Sequence, residues 1–254
     1  MLTSNNIFEE RVIARDALKG IYSCPACGGA TILKKGEKKI AHFAHQYLKK
    51  PLAFVGDCWW ESESIEHLSF KQKLYDYYTD KGFECQLEKI VDDGKFIKKP
   101  LAFVLDVAIE YKGQKVAIEI QLSETPIERV IEKTIALNKL GYYVLWLIGD
   151  PALKSHDDRS SQLLYLMHSR FYFGRVYTIT SQFTVKSNFG VNIDPEMEVS
   201  ALYLKYRTKT IISRKHYFPL IHLNILCTET AEYSIGKIKI ARFCDKHIDK
   251  NSLD

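Results

Sequence analysis

The sequence predicts a mixed α/β protein whose central part runs helix, strand, strand, strand, helix, strand between about residues 64 and 149. Three observations carry this. Residues 104–121, VLDVAIEYKGQKVAIEIQ, alternate apolar and polar side chains on both sides of Lys112-Gly113, as two half-buried strands joined by a two-residue turn do. Residues 64–81 and 125–140 each read as a helix that meets a glycine at its end, Gly82 and Gly141. YYVLWLIG at 142–149 is a continuous apolar run of strand length, the mark of a buried strand.

Ahead of the central part, residues 22–45 form a small module: a cysteine knuckle, a lysine-rich hairpin and two histidines. The chain therefore divides at the sequence level into an N-terminal module (1–58), a central domain (59–153) and a C-terminal α+β extension (154–254). Between the first helix and the hairpin at 101–122, a strand is expected at 83–91, with a turn at Asp92-Asp93-Gly94. Thr125-Pro126-Ile127-Glu128 reads as a helix start with proline at the first helical position and a capping-box glutamate. Past residue 150 the pattern suggests a helix near 158–171 and strands near 175–193 and 201–212, then short strands mixed with CDKH. KKPLAFV occurs at 49–55 and 98–104, but the flanks differ, so it marks two similar strand entries rather than a repeat.

With 254 residues, 46% hydrophobic and 26% charged, the chain has the composition of an ordinary soluble protein. No apolar run approaches the roughly 20 residues of a membrane span, and no leader-like stretch opens the sequence, so a cytoplasmic location is expected. The net charge of +5 is unevenly spread: +4 over residues 1–60, −4 over 61–150 and +5 over 151–254. Basic flanks around an acidic middle suit a metal-holding site between surfaces that meet polyanions.

The hairpin carries the first candidate site. With Lys112-Gly113 as its loop, Asp106 faces Glu119. One face then reads Leu105, Val107, Ile109, Val116, Ile118, Ile120, and the other Asp106, Ala108, Glu110, Lys115, Ala117, Glu119, Gln121. Like charges directly opposed across two strands repel; a divalent cation turns that repulsion into attraction. The two alanines leave an open shelf around the pair. A wet outer face explains the alternation, but not why the carboxylates oppose each other rather than bases.

The second candidate is Cys24-x2-Cys27 and His42-x2-His45, separated by 14 residues. Tetrahedral zinc takes four nitrogen or sulfur ligands, and a C-P-x-C-G knuckle presents two thiolates. With four positions filled the zinc would be structural, and Cys58 is a spare ligand should one histidine fail. Lys34, Lys35, Lys38 and Lys39 crown the hairpin between the ligand pairs, placed to contact phosphates of DNA without sequence choice. The plainer alternative is a solvated lysine-rich turn. Trp59-Trp60 could stack on bases, though tryptophan pairs are commonly core.

YSCPAC…HFAH, ESIEHLSFK, LDVAIE, AIEIQLSE and VLWLIG, in this order over roughly residues 15–150, together resemble the CoiA competence-protein family. That is a set of nuclease-like proteins linked to bacterial DNA uptake and related to the PD-(D/E)XK nuclease fold. The resemblance implies a PD-(D/E)XK core with an N-terminal zinc-ribbon-like module. It further implies that Asp106 and Glu119 ligate Mg²⁺ or Mn²⁺, with the Ile120 carbonyl as a further ligand. In this fold the first helix often adds a Glu or His, here Glu66 as first choice and His67 as second, on a face shared with Glu63 and Lys71. Gln121 stands where many relatives of the wider fold carry a catalytic lysine; Lys71 or Lys133 would then supply the cation. The expected function is a metal-dependent deoxyribonuclease acting on DNA. One alternative is a DNA-binding scaffold without turnover. The other is a nuclease subunit of an anti-phage system that needs a partner protein.

Overall fold

The computed structural model describes residues 1–46, 58, 63–91, 103–123, 125–149, 171–172, 175–179, 185–189, 215–218, 226–233 and 236–243. The chain forms two compact units: Met1–Asp76 with Cys85–Val107, and Tyr77–Glu84 with Ala108–Asp254. Among the described residues no helix is long and apolar enough to cross a membrane.

The first unit opens with short strands β1 (Thr3–Asn5), β2 (Arg11–Ile13), β3 (Tyr22–Ser23), β4 (Ala30–Lys34) and β5 (His42–His45), paired antiparallel in the order β2-β1-β3-β4-β5. Strands this short bury little, so the sheet depends on one packed face. Tyr22, Cys24, Phe43, Ala14, Ala17 and Met1 fill it, with the Tyr22 and Phe43 rings 4.8 Å apart. Helix α1 (Ile65–Asp80) begins in this unit. Ser64 is its cap: the Ser64 hydroxyl accepts the His67 amide at 3.1 Å, satisfying one of the free donors of the first turn.

Strand β6 (Cys85–Val91) follows. It buries Leu87 and Glu88 in succession, against the alternation of a regular strand. The cause is local: Glu88 has φ +52°, a left-handed conformation that costs a non-glycine residue about 1–2 kcal/mol. Strand β7 (Phe103–Tyr111) starts here and ends in the second unit.

In the second unit α1 stops at Gly82, φ +79°, whose amide reaches the Thr79 carbonyl at 2.9 Å, as the sequence suggests. Phe83 packs between Tyr78, edge-on, and the stacked ring of Tyr111. Lys112 and Gly113, both with positive φ, make the expected two-residue turn into β8 (Gln114–Gln121). β8 lies parallel to β9 (Tyr142–Gly149), with Glu119 beside Trp146 and Gln121 beside Ile148. Parallel neighbours need a crossover, and α2 (Ile127–Lys139) supplies it, burying Val130, Ile131, Thr134 and Leu137. The Trp146 indole donates to the Thr134 hydroxyl at 3.0 Å, and the Trp146 amide to the Tyr172 hydroxyl at 2.6 Å.

Beyond β9 come β10 (Arg175–Ile179), parallel to it, then antiparallel β11 (Val185–Phe189) and β12 (Lys215–Phe218). A hairpin of β13 (Leu226–Tyr233) and β14 (Gly236–Phe243) meets β9 through Ile240 and Val144. Asn138 clamps it to α2, exchanging two 2.8 Å hydrogen bonds with the Lys239 backbone. The architecture is mixed α+β, as expected.

Two expectations change. The helix α2 takes Pro126 as its cap residue, extended at φ −58° and ψ 137°, with no side-chain cap. Proline therefore stands one position earlier than expected, and Glu128 falls at the second helical position, out of capping-box reach. The outer face of the hairpin is also no open shelf: Ala108, Ala117, Asp106 and Glu119 are all buried, Asp106 at 8% and Glu119 at 2% exposure. Strands with parallel neighbours and crossover helices are covered on both faces. The expected turn at 92–94, the helix near 158–171, the strand at 201–212, Trp59-Trp60 and CDKH lie outside the described residues.

Candidate metal centres

Cys24 and Cys27 sit on a tight turn in which the Cys24 amide donates to the Gly29 carbonyl at 2.7 Å and the Gly28 amide to the Cys24 carbonyl at 2.8 Å. Gly28 takes φ +71°, and a side chain on Gly29 would press on the Cys27 sulfur at 3.3 Å. With Cys58 and His45 they form a cluster whose four ligand atoms lie within 4.8 Å of one another. The Cys24 and Cys58 sulfurs are 3.8 Å apart, and Cys27 Sγ is 3.4 Å from His45 Nε2. Tetrahedral zinc, with Zn–S of about 2.3 Å and Zn–N of about 2.0–2.1 Å, sets sulfur–sulfur edges near ~3.8 Å and sulfur–nitrogen edges near ~3.5 Å. The donor set and its spacing fit zinc.

His42 is not in this cluster. It lies three residues from His45 on one strand, so the two side chains leave opposite faces. His42 Nδ1 turns to the Ile40 carbonyl at 2.9 Å, and Cys58 takes the fourth position. Strand parity thus overturns the sequence assignment of His42. Burial, together with the Cys58 and Cys27 thiols, pushes the Cys24 thiol up to about 12 against the backbone amides of Ala26 and Cys27. A metal bound here displaces protons from thiols.

The second cluster is Glu63, His67 and Asp106, with ligand atoms again within 4.8 Å. His67 Nδ1 is 3.1 Å from Glu63 Oε1, and Nε2 is 3.2 Å from Asp106 Oδ2. Burial opposes a charged His67, yet the Asp106 charge and the hydrogen bonds to Asp106 and Glu63 push it up to about 10. An imidazolium therefore sits where a cation is wanted. Burial likewise opposes ionised Glu63, but the His67 hydrogen bond and the Lys71 ammonium hold it far below the usual carboxylate range. The two carboxylates meet different ring nitrogens of His67, so an octahedral Mg²⁺ or Mn²⁺, whose neighbouring donors lie about 3 Å apart, would take one of those nitrogens and draw the far carboxylate in. Among the described residues, buried Glu63 Oε2 accepts no hydrogen bond and has only the Met1 ammonium, 3.4 Å away, as an ion partner. Such an acceptor suits an ion. The residues fit a hard divalent cation once His67 gives up its proton.

Glu66, the first choice from sequence, is exposed on α1 and outside the cluster. One residue is about 100° on a helix, so Glu66 turns away from the face that His67 and Lys71, four apart, share; Glu63 meets both from just ahead of the cap Ser64. Lys71 is 1% exposed, its ammonium bound to Glu63 and, at 2.5 Å, to Glu88. The two carboxylates, not the surface, receive its charge.

In the second unit the Gln121 amide turns to the Ser123 carbonyl and hydroxyl, at 2.7 and 3.2 Å. The cation at Glu119 is Lys133 of α2, 2.6 Å from Glu119 Oε2 and 27% exposed. Of the hairpin lysines, Lys34, Lys35, Lys38 and Lys39 are all exposed. Lys35 is already engaged, donating to the Arg15 and Ala17 carbonyls.

Comparison with known proteins gives two family matches. Residues 8–51 match the family described as competence protein CoiA, N-terminal domain. Residues 63–223 match competence protein CoiA, nuclease-like domain. No curated protein matches the chain significantly. A solved structure of a protein of unknown function is similar at 13% identity and a TM-score of 0.28, covering 46% of this chain and 59% of that one. With more than half of its 254 residues under the nuclease-like match, the chain belongs to the CoiA competence-protein family.

Proposed function

We propose that this protein hydrolyses phosphodiester bonds of DNA with Mg²⁺ or Mn²⁺, and that Glu63, His67 and Asp106 hold the ion. The observation that carries the reading is the half-buried Glu63–His67–Asp106 cluster within a nuclease-like domain. Such an ion supplies Lewis acidity and an activated water. The chain's own groups do the rest. Glu63 and Asp106 orient His67 between them, and Glu119 is the second carboxylate of the expected hairpin pair. Lys133, held on Glu119 and partly exposed, would take the role expected of a lysine at position 121, stabilising charge on a phosphate. Lys34, Lys38 and Lys39 supply backbone contacts to DNA, and a structural zinc on Cys24, Cys27, His45 and Cys58 holds the N-terminal module.

A second reading, a DNA-binding protein of the same fold without turnover, is favoured by Gln121 folded onto Ser123 and by Lys71 buried away from solvent. Incubation with single- and double-stranded DNA under Mn²⁺ or Mg²⁺ separates the two. Cleavage by the wild type, falling at least about 100-fold in Asp106→Ala, supports hydrolysis. DNA binding without cleavage in either protein supports the second reading.

A further inference from the structure

We infer that Glu88 is a positioning residue of the divalent-metal centre, holding Lys71 under Glu63 and tying the centre to strand β1; this rests on the reading of that centre given above. Glu88 is fully buried and is not one of the three candidate ligands. Its carboxylate accepts the Leu2 amide at 2.8 Å and the Thr3 amide and hydroxyl at 2.9 Å each. It also accepts from the Lys71 ammonium at 2.5 Å. Arg11 grips the same residue from behind, reaching the Glu88 carbonyl at 2.5 Å and the Thr3 hydroxyl at 2.8 Å. The left-handed backbone at Glu88 is what turns this carboxylate inward beside Leu87, and strained residues of this kind persist where their surroundings over-determine them.

The electrostatic consequence is specific. A buried ammonium bound to Glu63 opposes a divalent cation on the same carboxylate. Glu88 cancels that ammonium. Without the Glu88 charge, Glu63 becomes the main counter-ion of Lys71 and is drawn away from the metal. Removing both charges together frees Glu63 again. A role of Glu88 in folding alone makes the opposite forecast, since a second buried substitution then deepens the damage.

The test is a titration of the zinc-bound full chain with Mn²⁺, followed by electron paramagnetic resonance of the free ion. Glu88→Gln weakens Mn²⁺ binding about tenfold or more, the size usual for groups that orient metal ligands. Glu88→Gln with Lys71→Met regains most of it. Thr3→Val, which keeps both charges and nearly the same shape, loses a few-fold, and it decides the matter should Glu88→Gln fail to fold. Unchanged affinity in Glu88→Gln, a deeper loss in the double variant, or, where only Thr3→Val folds, unchanged affinity there overturns the inference. Absence of Mn²⁺ binding by the wild type, or equal binding by Asp106→Asn, instead removes the metal reading itself, and this inference with it.

Discussion

Cys24 and Cys27 reach their cluster from one tight turn, whereas His67 and Asp106 meet across 39 positions of sequence from a helix and a strand. The cysteine cluster is spaced by backbone geometry: a knuckle, two glycines and a strand edge. The carboxylate cluster is spaced by charge, with His67 between two anions and Lys71 and Glu88 beneath. In the first, the Cys24–Cys58 and Cys27–His45 separations match the edges of a filled tetrahedron. The second is held by an imidazolium that an ion would replace. Removing a ligand from the first therefore attacks folding, and removing one from the second attacks chemistry.

The largest effect expected of this difference is in the cysteine cluster. Cys58→Ser and His45→Ala lose zinc and destabilise the N-terminal module by several kcal/mol, because metal binding and folding are coupled there. His42→Ala keeps about one zinc per chain. Elemental analysis with denaturant melts checks this, and zinc lost from His42→Ala but kept in Cys58→Ser would restore the assignment that strand parity overturns.

A smaller effect, on the order of 2 kcal/mol, is expected from His67 in protein free of ion at the carboxylate cluster. Its folded-state value of about 10 lies above the ordinary 6.5, so its contribution is fully present below about pH 6.5 and is lost as pH rises through 10. Urea melts between pH 6 and 10 should show the gap between wild type and His67→Gln closing with pH. Mn²⁺ affinity should climb over the same interval as the competing proton leaves. A gap that widens with pH would mean that His67 is neutral in the fold.

The smallest effect concerns neither cluster. Replacing Lys34, Lys38 and Lys39 with alanine should weaken DNA binding several-fold and leave stability unchanged. The salt slope should fall by about 0.9 for each phosphate that is no longer neutralised. Lys35→Ala, whose ammonium is held by backbone carbonyls in the wild type, should leave the slope as it is. Binding measured over a range of salt decides; an unaltered slope in the triple variant would remove the hairpin as a DNA surface.

How far these sites could be read in advance follows from how local their causes are. The hairpin turn, both helix-ending glycines and β9 were legible, since Lys112-Gly113, Gly82, Gly141 and YYVLWLIG each act on their own neighbours. The metal-ligand sets were legible only in part. HFAH looks like a ligand pair until the strand's period of two separates its histidines, and Cys58 stands 31 positions beyond Cys27. Glu63 was visible as a member of the helix face, yet it precedes the cap Ser64, and the choice between it and Glu66 turns on where the helix begins. The burial of Asp106 and Glu119 was hidden because alternation looks the same on a wet strand and on one covered by helices. Glu88 gave no signal at all: nothing in CQLEKIV announces a left-handed glutamate.

Two candidate metal centres of different chemistry lie in one chain. The direct test is dialysis of wild type, Cys58→Ser and Asp106→Asn against Zn²⁺ and Mn²⁺, followed by elemental analysis of each. The expected result is about one zinc and one manganese in the wild type, zinc alone in Asp106→Asn, and loss of zinc in Cys58→Ser. Manganese retained in full by Asp106→Asn, or zinc retained in full by Cys58→Ser, would contradict it.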